Sequence, residues 1–160
     1  MSNTNPIYDH TTLIGLGLIG SSLAHALIKA GVTEKVIGFD QCESVRQQVQ
    51  ELGFLDRVVS SISEAVSNAD LVILCTPVGT FSDIGKAIGP HLKPGATLTD
   101  VGSVKGSALT ALAPSVPEGV HLIPAHPVAG TEKSGPDAGF AELFEGRWPI
   151  LTPPENADPD

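Results

Sequence analysis

Basic residues are scarce: 9 Lys and Arg stand against 18 Asp and Glu, a net charge of −9 over 160 residues. With no Lys/Arg cluster there is no electrostatic footprint for a nucleic acid, whose backbone needs a basic face. Cysteine is scarce too. Cys42 and Cys75 show neither metal-ligand spacing nor a disulfide framework, and both read as small hydrophobes suited to a reducing compartment. A membrane-length apolar run is missing, because the longest apolar stretch, residues 13–31, is broken by Gly15, Gly17, Gly20 and Gly31 and carries His25 and Lys29. The opening Met1-Ser2-Asn3-Thr4-Asn5-Pro6 has neither the basic start nor the apolar core of a secretory signal, so a cytoplasmic location is the expectation. There is no internal repeat.

What is present is a hydrophobic content of 41%, enough for one ordinary domain around one core. Short apolar runs alternate with helical patterns, which predicts an α/β fold of the doubly wound, Rossmann type: a mostly parallel sheet with helices on both faces. Strands are expected at 11–16, 36–39, 57–60, 71–75, 97–100, 121–125 and 148–152. Helices are expected at 19–30, 42–52, 63–68, 81–88 and 104–112, with a helical piece at 140–144. Residues 71–75 are continuously apolar, as befits a central strand covered on both faces. This organisation gives an N-terminal tail at 1–10, one domain over 11–152, and a Pro/Asp-rich terminal segment at 153–160.

Gly15-Leu16-Gly17-Leu18-Ile19-Gly20 follows the first strand and opens the first helix. In that setting Gly15 permits the tight turn, Gly17 lets the backbone approach a pyrophosphate and Gly20 permits close packing of helix on sheet. The amides of Leu18 and Ile19 lie at a helix N-terminus that favours anions. Asp40 lies twenty residues past Gly20 at the end of the second strand, where a carboxylate accepts hydrogen bonds from ribose hydroxyls. That carboxylate repels a 2′-phosphate, and Gln41 and Cys42 offer no guanidinium, so NAD is favoured over NADP; Arg46 is the one cation near enough to argue otherwise. Cys75-Thr76-Pro77 ends the central strand at its carboxyl edge, where open α/β sheets bind ligands, and reads equally as a nicotinamide contact or a strand terminator.

Two further residues are candidates for chemistry. Ser103, in Asp100-Val101-Gly102-Ser103-Val104-Lys105, sits in another strand-to-helix turn and reads equally as an N-cap or as a contact to ligand. His126 opens His126-Pro127-Val128-Ala129-Gly130-Thr131-Glu132-Lys133-Ser134-Gly135. Pro127 holds it extended, and an imidazole suits a dehydrogenase that must take a hydroxyl proton while carbon gives up hydride. His10, His25, His91 and His121 lack such a glycine-rich polar neighbourhood.

The glycine turn with Ser21-Ser22-Leu23-Ala24, the Asp100 to Lys105 segment and the His126 to Gly135 run together resemble the nucleotide-binding part of the prephenate and arogenate dehydrogenase family. The resemblance spans residues 11 to 152. It implies NAD-dependent oxidative decarboxylation of prephenate or arogenate in tyrosine biosynthesis, with His126 as the acid-base group at the ring hydroxyl. Ser103 would hold His126 and contact substrate or nicotinamide, and Thr131 and Glu132 would line or gate the cleft. It also implies a helical C-terminal domain that supplies dimer contacts and cationic substrate ligands. On that basis the chain is expected to be the cofactor-binding portion of a homodimeric enzyme. The competing expectations are a hydroxyacid dehydrogenase or imine reductase of similar fold, and an NAD-binding module without chemistry of its own.

Overall fold

The computed structural model describes residues 5–157; the expectations for 1–4 and 158–160 lie outside the described residues. In chain order the elements are β1 (Tyr8–Ile14), α1 (Leu18–Ala30), β2 (Thr33–Phe39), α2 (Glu43–Leu52), β3 (Arg57–Val59), α3 (Ile62–Val66) and β4 (Leu71–Leu74). They continue as α4 (Phe81–Ile88), β5 (Thr97–Asp100), α5 (Lys105–Leu112), β6 (His121–Leu122), β7 (Ala125–Pro127) and β8 (Pro149–Leu151), with single 3-10 turns between. Six strands form one parallel sheet in the order β3-β2-β1-β4-β5-β6, while β7 and β8 pair antiparallel as a separate ribbon. This is the expected Rossmann-type sheet, and the order in which strands are added reverses between β1 and β4.

The sheet is covered on both faces because its strands are apolar at both parities. In β4, Leu71 and Ile73 pack with Leu13, Val36, Ala24 and Val49 on the side of α1 and α2. Val72 and Leu74 face the other way, onto Ile14, Leu98, Phe81, Ile88 and Leu112. Successive side chains of a strand point to opposite faces, so a run with no polar interruption needs two cores, and this chain builds both.

Several boundaries differ from the sequence reading, three of them for identifiable reasons. β1 begins at Tyr8 rather than 11, extended by register pairs from Tyr8 opposite Thr33 to Ile14 opposite Phe39. The helix expected at 63–68 starts at Ile62 because the Ser61 hydroxyl accepts the Glu64 amide at 3.4 Å, an N-cap with the Ser-x-x-Glu spacing. The strand expected at 121–125 is two elements. Ile123 makes the last sheet hydrogen bond, to the Leu98 carbonyl at 3.0 Å; the next amide in that alternation, Ala125, goes to the Asp100 carboxylate at 3.3 Å instead of a β5 carbonyl, and the chain leaves the sheet before β7.

Candidate dinucleotide and acid-base site

The glycine turn closes tightly against the neighbouring strand. Gly15 has φ +93°, and a Cβ there would stand 2.9 Å from the Cys75 carbonyl. At Gly20 a Cβ would lie 2.0 Å from the Gly15 carbonyl oxygen, so the first turn of α1 sits directly on the loop before it. Gly17 faces open space and is exposed. Gly15 and Gly20 thus meet the steric demands expected of them, except that Gly20 packs against the turn as much as against the sheet. The first amides of α1, those of Leu18 and Ile19 among them, have no partner within the helix and present a positive end at the same place.

Beside this turn lies a cavity of about 670 Å³, lined by Gly15, Gly17, Asp40, Cys75, Thr76 and Pro77 among others. Six sequence candidates thus meet at one sheet edge, at the reversal between β1 and β4. Asp40 is already engaged: one carboxylate oxygen accepts the Leu16 amide and the other the Cys42 amide, each at 2.9 Å. It ties the glycine turn to the start of α2 and retains lone pairs for ribose hydroxyls. Arg46 turns its guanidinium onto the Asp40 and Gln41 carbonyls at 2.7 and 3.0 Å. Those bonds hold it to the backbone. Burial, with the Asp100 carboxylate nearby, pushes the Cys75 thiol well above its ordinary range, so it is a neutral wall of the cavity. Thr76 and Thr80 join their hydroxyls at 2.9 Å across the turn after β4.

His126 lies one strand further along the same edge. The Val101 amide, just past β5, donates to the Leu74 carbonyl of β4 at 3.1 Å, and the Val101 carbonyl is the partner of His126 Nδ1 at 3.1 Å. A carbonyl only accepts, so Nδ1 carries a proton, and in the neutral ring Nε2 then keeps its lone pair. That is the tautomer a proton acceptor needs. Gly102 is required beside it, since a Cβ there would come within 2.5 Å of Val78 Cγ2.

Ser103 neither caps α5 nor holds His126. The N-cap of α5 is Val104, with no side-chain cap, and the group that holds His126 is the Val101 carbonyl, two residues before the serine. Ser103 is exposed at the edge. Thr131 and Glu132 lie on an exposed segment after β7, the Thr131 hydroxyl accepting the Lys133 amide at 3.1 Å, and neither lines the cavity beside the glycine turn. After that segment the chain folds back onto α1: the Phe140 amide donates to the Ser22 hydroxyl at 3.1 Å, and Gly139 lies so close that a Cβ would stand 2.7 Å from the Ser21 Cβ. Sequence reasoning also missed the buried pair of Asp100 and Lys105, for which the signal was a lysine five residues beyond a strand-ending aspartate.

The parallel sheet, the glycine turn on a helix N-terminus and the acidic residue ending β2 define a dinucleotide-binding α/β domain. The family model described as prephenate dehydrogenase, nucleotide-binding domain, matches residues 23–160, and the chain belongs to that family. It is 44% identical over 148 residues to cyclohexadienyl dehydrogenase of Zymomonas mobilis, covering 92% of this chain and 50% of that protein. Among solved structures, prephenate dehydrogenase from A. aeolicus in complex with hydroxyphenyl propionate and NAD+ superposes with a TM-score of 0.85 at 33% identity, over 99% of this chain and 54% of the other. Synechocystis arogenate dehydrogenase gives 0.84 at 33% identity, over 94% and 52%. The chain spans about half the length of these proteins. Among the described residues no helix is long and apolar enough to cross a membrane.

Proposed function

We propose that this chain is the NAD-binding and acid-base portion of an enzyme that oxidatively decarboxylates prephenate or arogenate. The observation that carries this reading is His126, its Nδ1–H held at the carboxyl edge by the carbonyl that follows β5, two strands from the glycine turn. The residues fit a dinucleotide: Gly17 leaves open backbone for a pyrophosphate, and Asp40 stands at the cavity wall for a ribose. The identity of Asp40 favours NAD over NADP, and the guanidinium of Arg46 is committed to backbone carbonyls rather than free to meet a 2′-phosphate.

NAD, when bound, accepts the hydride that leaves the hydroxyl-bearing ring carbon. His126 Nε2 accepts the hydroxyl proton as that hydride departs. The bond to the ring carboxylate then breaks, carbon dioxide leaves, its electron pair completes the aromatic ring, and His126 returns the proton to the phenolic oxygen. Aromatisation supplies driving force, so the protein's task is alignment and charge stabilisation at the oxygen. Ser103, exposed at that edge, is assigned to the substrate or nicotinamide, and Thr131 and Glu132 to the margin of the cleft. We place the enzyme in the cytoplasm, where two free thiols persist, and as a homodimer formed mainly through the family's C-terminal portion. Trp148, Ile150 and Leu151, exposed on and beside β8, support contact with that portion.

Calorimetric titration with NAD and then NADP, followed by absorbance at saturating NAD with prephenate, tests the reading. NAD binding in preference to NADP is expected, and turnover, where the rest of the enzyme is supplied, falls by about 100-fold or more in His126→Gln. Absence of NAD binding overturns it.

A further inference from the structure

We infer that Asp100 and Lys105 act as a positioning clamp that fixes the ring of His126; the inference rests on the reading of His126 as the acid-base group. The need for a clamp follows from topology. The six-stranded sheet makes its last ladder bond from the Ile123 amide, the Ala125 amide that would come next meets a side chain instead of a β5 carbonyl, and His126 rides on the β7–β8 ribbon outside that sheet. Among the described residues no sheet hydrogen bond orients the ribbon on the main body.

The Asp100–Lys105 pair takes that place. Asp100 Oδ1 accepts the Ala125 amide at 3.3 Å, while Lys105 Nζ donates to the Ala125 carbonyl at 2.5 Å and to Asp100 Oδ2. Both backbone groups of the residue preceding His126 are therefore held by the two halves of one ion pair. Asp100 Oδ2 also accepts the Gly102 amide at 2.8 Å, which fixes the turn whose Val101 carbonyl receives His126 Nδ1. One carboxylate thus sets both the backbone that carries the ring and the carbonyl that selects its tautomer. Asp100 is 1% exposed and the Lys105 side chain 15%. A buried ion pair gains little stability over apolar packing, so its use here is geometric: three directed hydrogen bonds that an apolar pair cannot make.

The clamp is read from the spectroscopic state of His126, without nucleotide or turnover. Nitrogen-15 NMR of the imidazole in the unmodified chain should show the Nδ1–H tautomer. In Asp100→Leu/Lys105→Met both charges and the carboxylate acceptors are removed together, so neither charge is left buried alone, and a cooperative unfolding transition checks that the chain is folded. The expected result is a mixture of tautomers, with the Ala125 amide exchanging as fast as the loop amides of residues 130–134. Retention of the single Nδ1–H tautomer and of Ala125 protection in that variant overturns the clamp. Should the double variant not fold, hydrogen exchange of the unmodified chain decides: an Ala125 amide protected like Leu98 of β5 supports the inference, and one exchanging at loop rates overturns it. Loss of NAD binding in the unmodified chain defeats the cofactor reading alone, because these measurements involve no nucleotide.

Discussion

The sheet carries an Asp–Lys pair at each of its two edges, and the pairs do different things. At the amino edge, Asp70, just before β4, meets Lys93 at 2.5 Å and accepts the His10 amide of β1 at 2.8 Å, with side chains 28% and 38% exposed. At the carboxyl edge, Asp100 is buried and Lys105 nearly so, and the pair spends its remaining bonds on Ala125 and Gly102. The amino-edge pair joins the beginnings of neighbouring strands, which ladder hydrogen bonds already align. The carboxyl-edge pair joins a sheet to a ribbon that no ladder aligns. Identical chemistry is thus a modest fastener where the backbone has done the work, and a positioning device where it has not.

Removing one cation from each pair gives the largest expected difference. Lys105→Met leaves Asp100 buried without its counter-charge, and a stability loss of about 3–5 kcal/mol is expected, the usual consequence of orphaning a buried ion. Lys93→Met leaves Asp70 in reach of water and should cost at most about 1 kcal/mol. Urea unfolding of the two variants beside the parent measures both. Equal losses would erase the distinction between the edges.

The sequence made the carboxyl edge legible where a backbone requirement forces residue type. Gly15 and Gly20 could be read because larger residues collide there, and residues 81–88 and 97–100 matched their elements because apolar pattern and flanking breakers agree. What stayed hidden depends on partners distant in sequence. Nothing local says that Asp40 holds the Leu16 amide 24 residues away, or that Lys105 reaches Ala125 across 20. The break after Ile123 stayed hidden for the same reason: the ladder ends where the Ala125 amide turns to the Asp100 side chain, 25 residues away in sequence. Ser103 misled for a related reason: its position before a helix suggested a cap, yet the helix begins one residue later, leaving the hydroxyl outside the capping position.

Glycines sharpen the same contrast at intermediate size. Gly20→Ala drives a Cβ to 2.0 Å from the Gly15 carbonyl oxygen, so α1 and the turn must separate. A stability loss of about 1–3 kcal/mol is expected, with NAD affinity weakened by roughly tenfold or more as the turn opens. Gly95→Ala, at the amino edge just before β5, meets no atom within 4 Å and suffers only its φ of +83°. That substitution should cost about 1 kcal/mol and leave the NAD titration unchanged. Calorimetry on both variants makes the comparison; a Gly20→Ala chain that binds NAD like the parent would remove the turn from the cofactor site.

The smallest effect concerns how Asp70 responds to acid. Burial pushes its carboxyl upward, but hydrogen bonds from Lys93 and the His10 amide, with the Lys93 charge, outweigh that and hold it below its ordinary value. A carboxyl with a lower value in the folded chain than in the unfolded one binds fewer protons when folded. Its stabilisation is therefore complete above the unfolded value of about 4 and is lost as pH falls through the folded value below it. Asp70→Asn removes the ionic part while an amide oxygen still accepts from His10. At pH 7 the variant should be less stable by at most about 1 kcal/mol, and the gap should close as the parent is acidified below about pH 4. Added salt should narrow it further, since water and ions reach this pair. Urea midpoints of parent and variant at neutral and acid pH measure the gap, and one that persists unchanged in acid would mean that Asp70 holds the amino edge by shape rather than by charge.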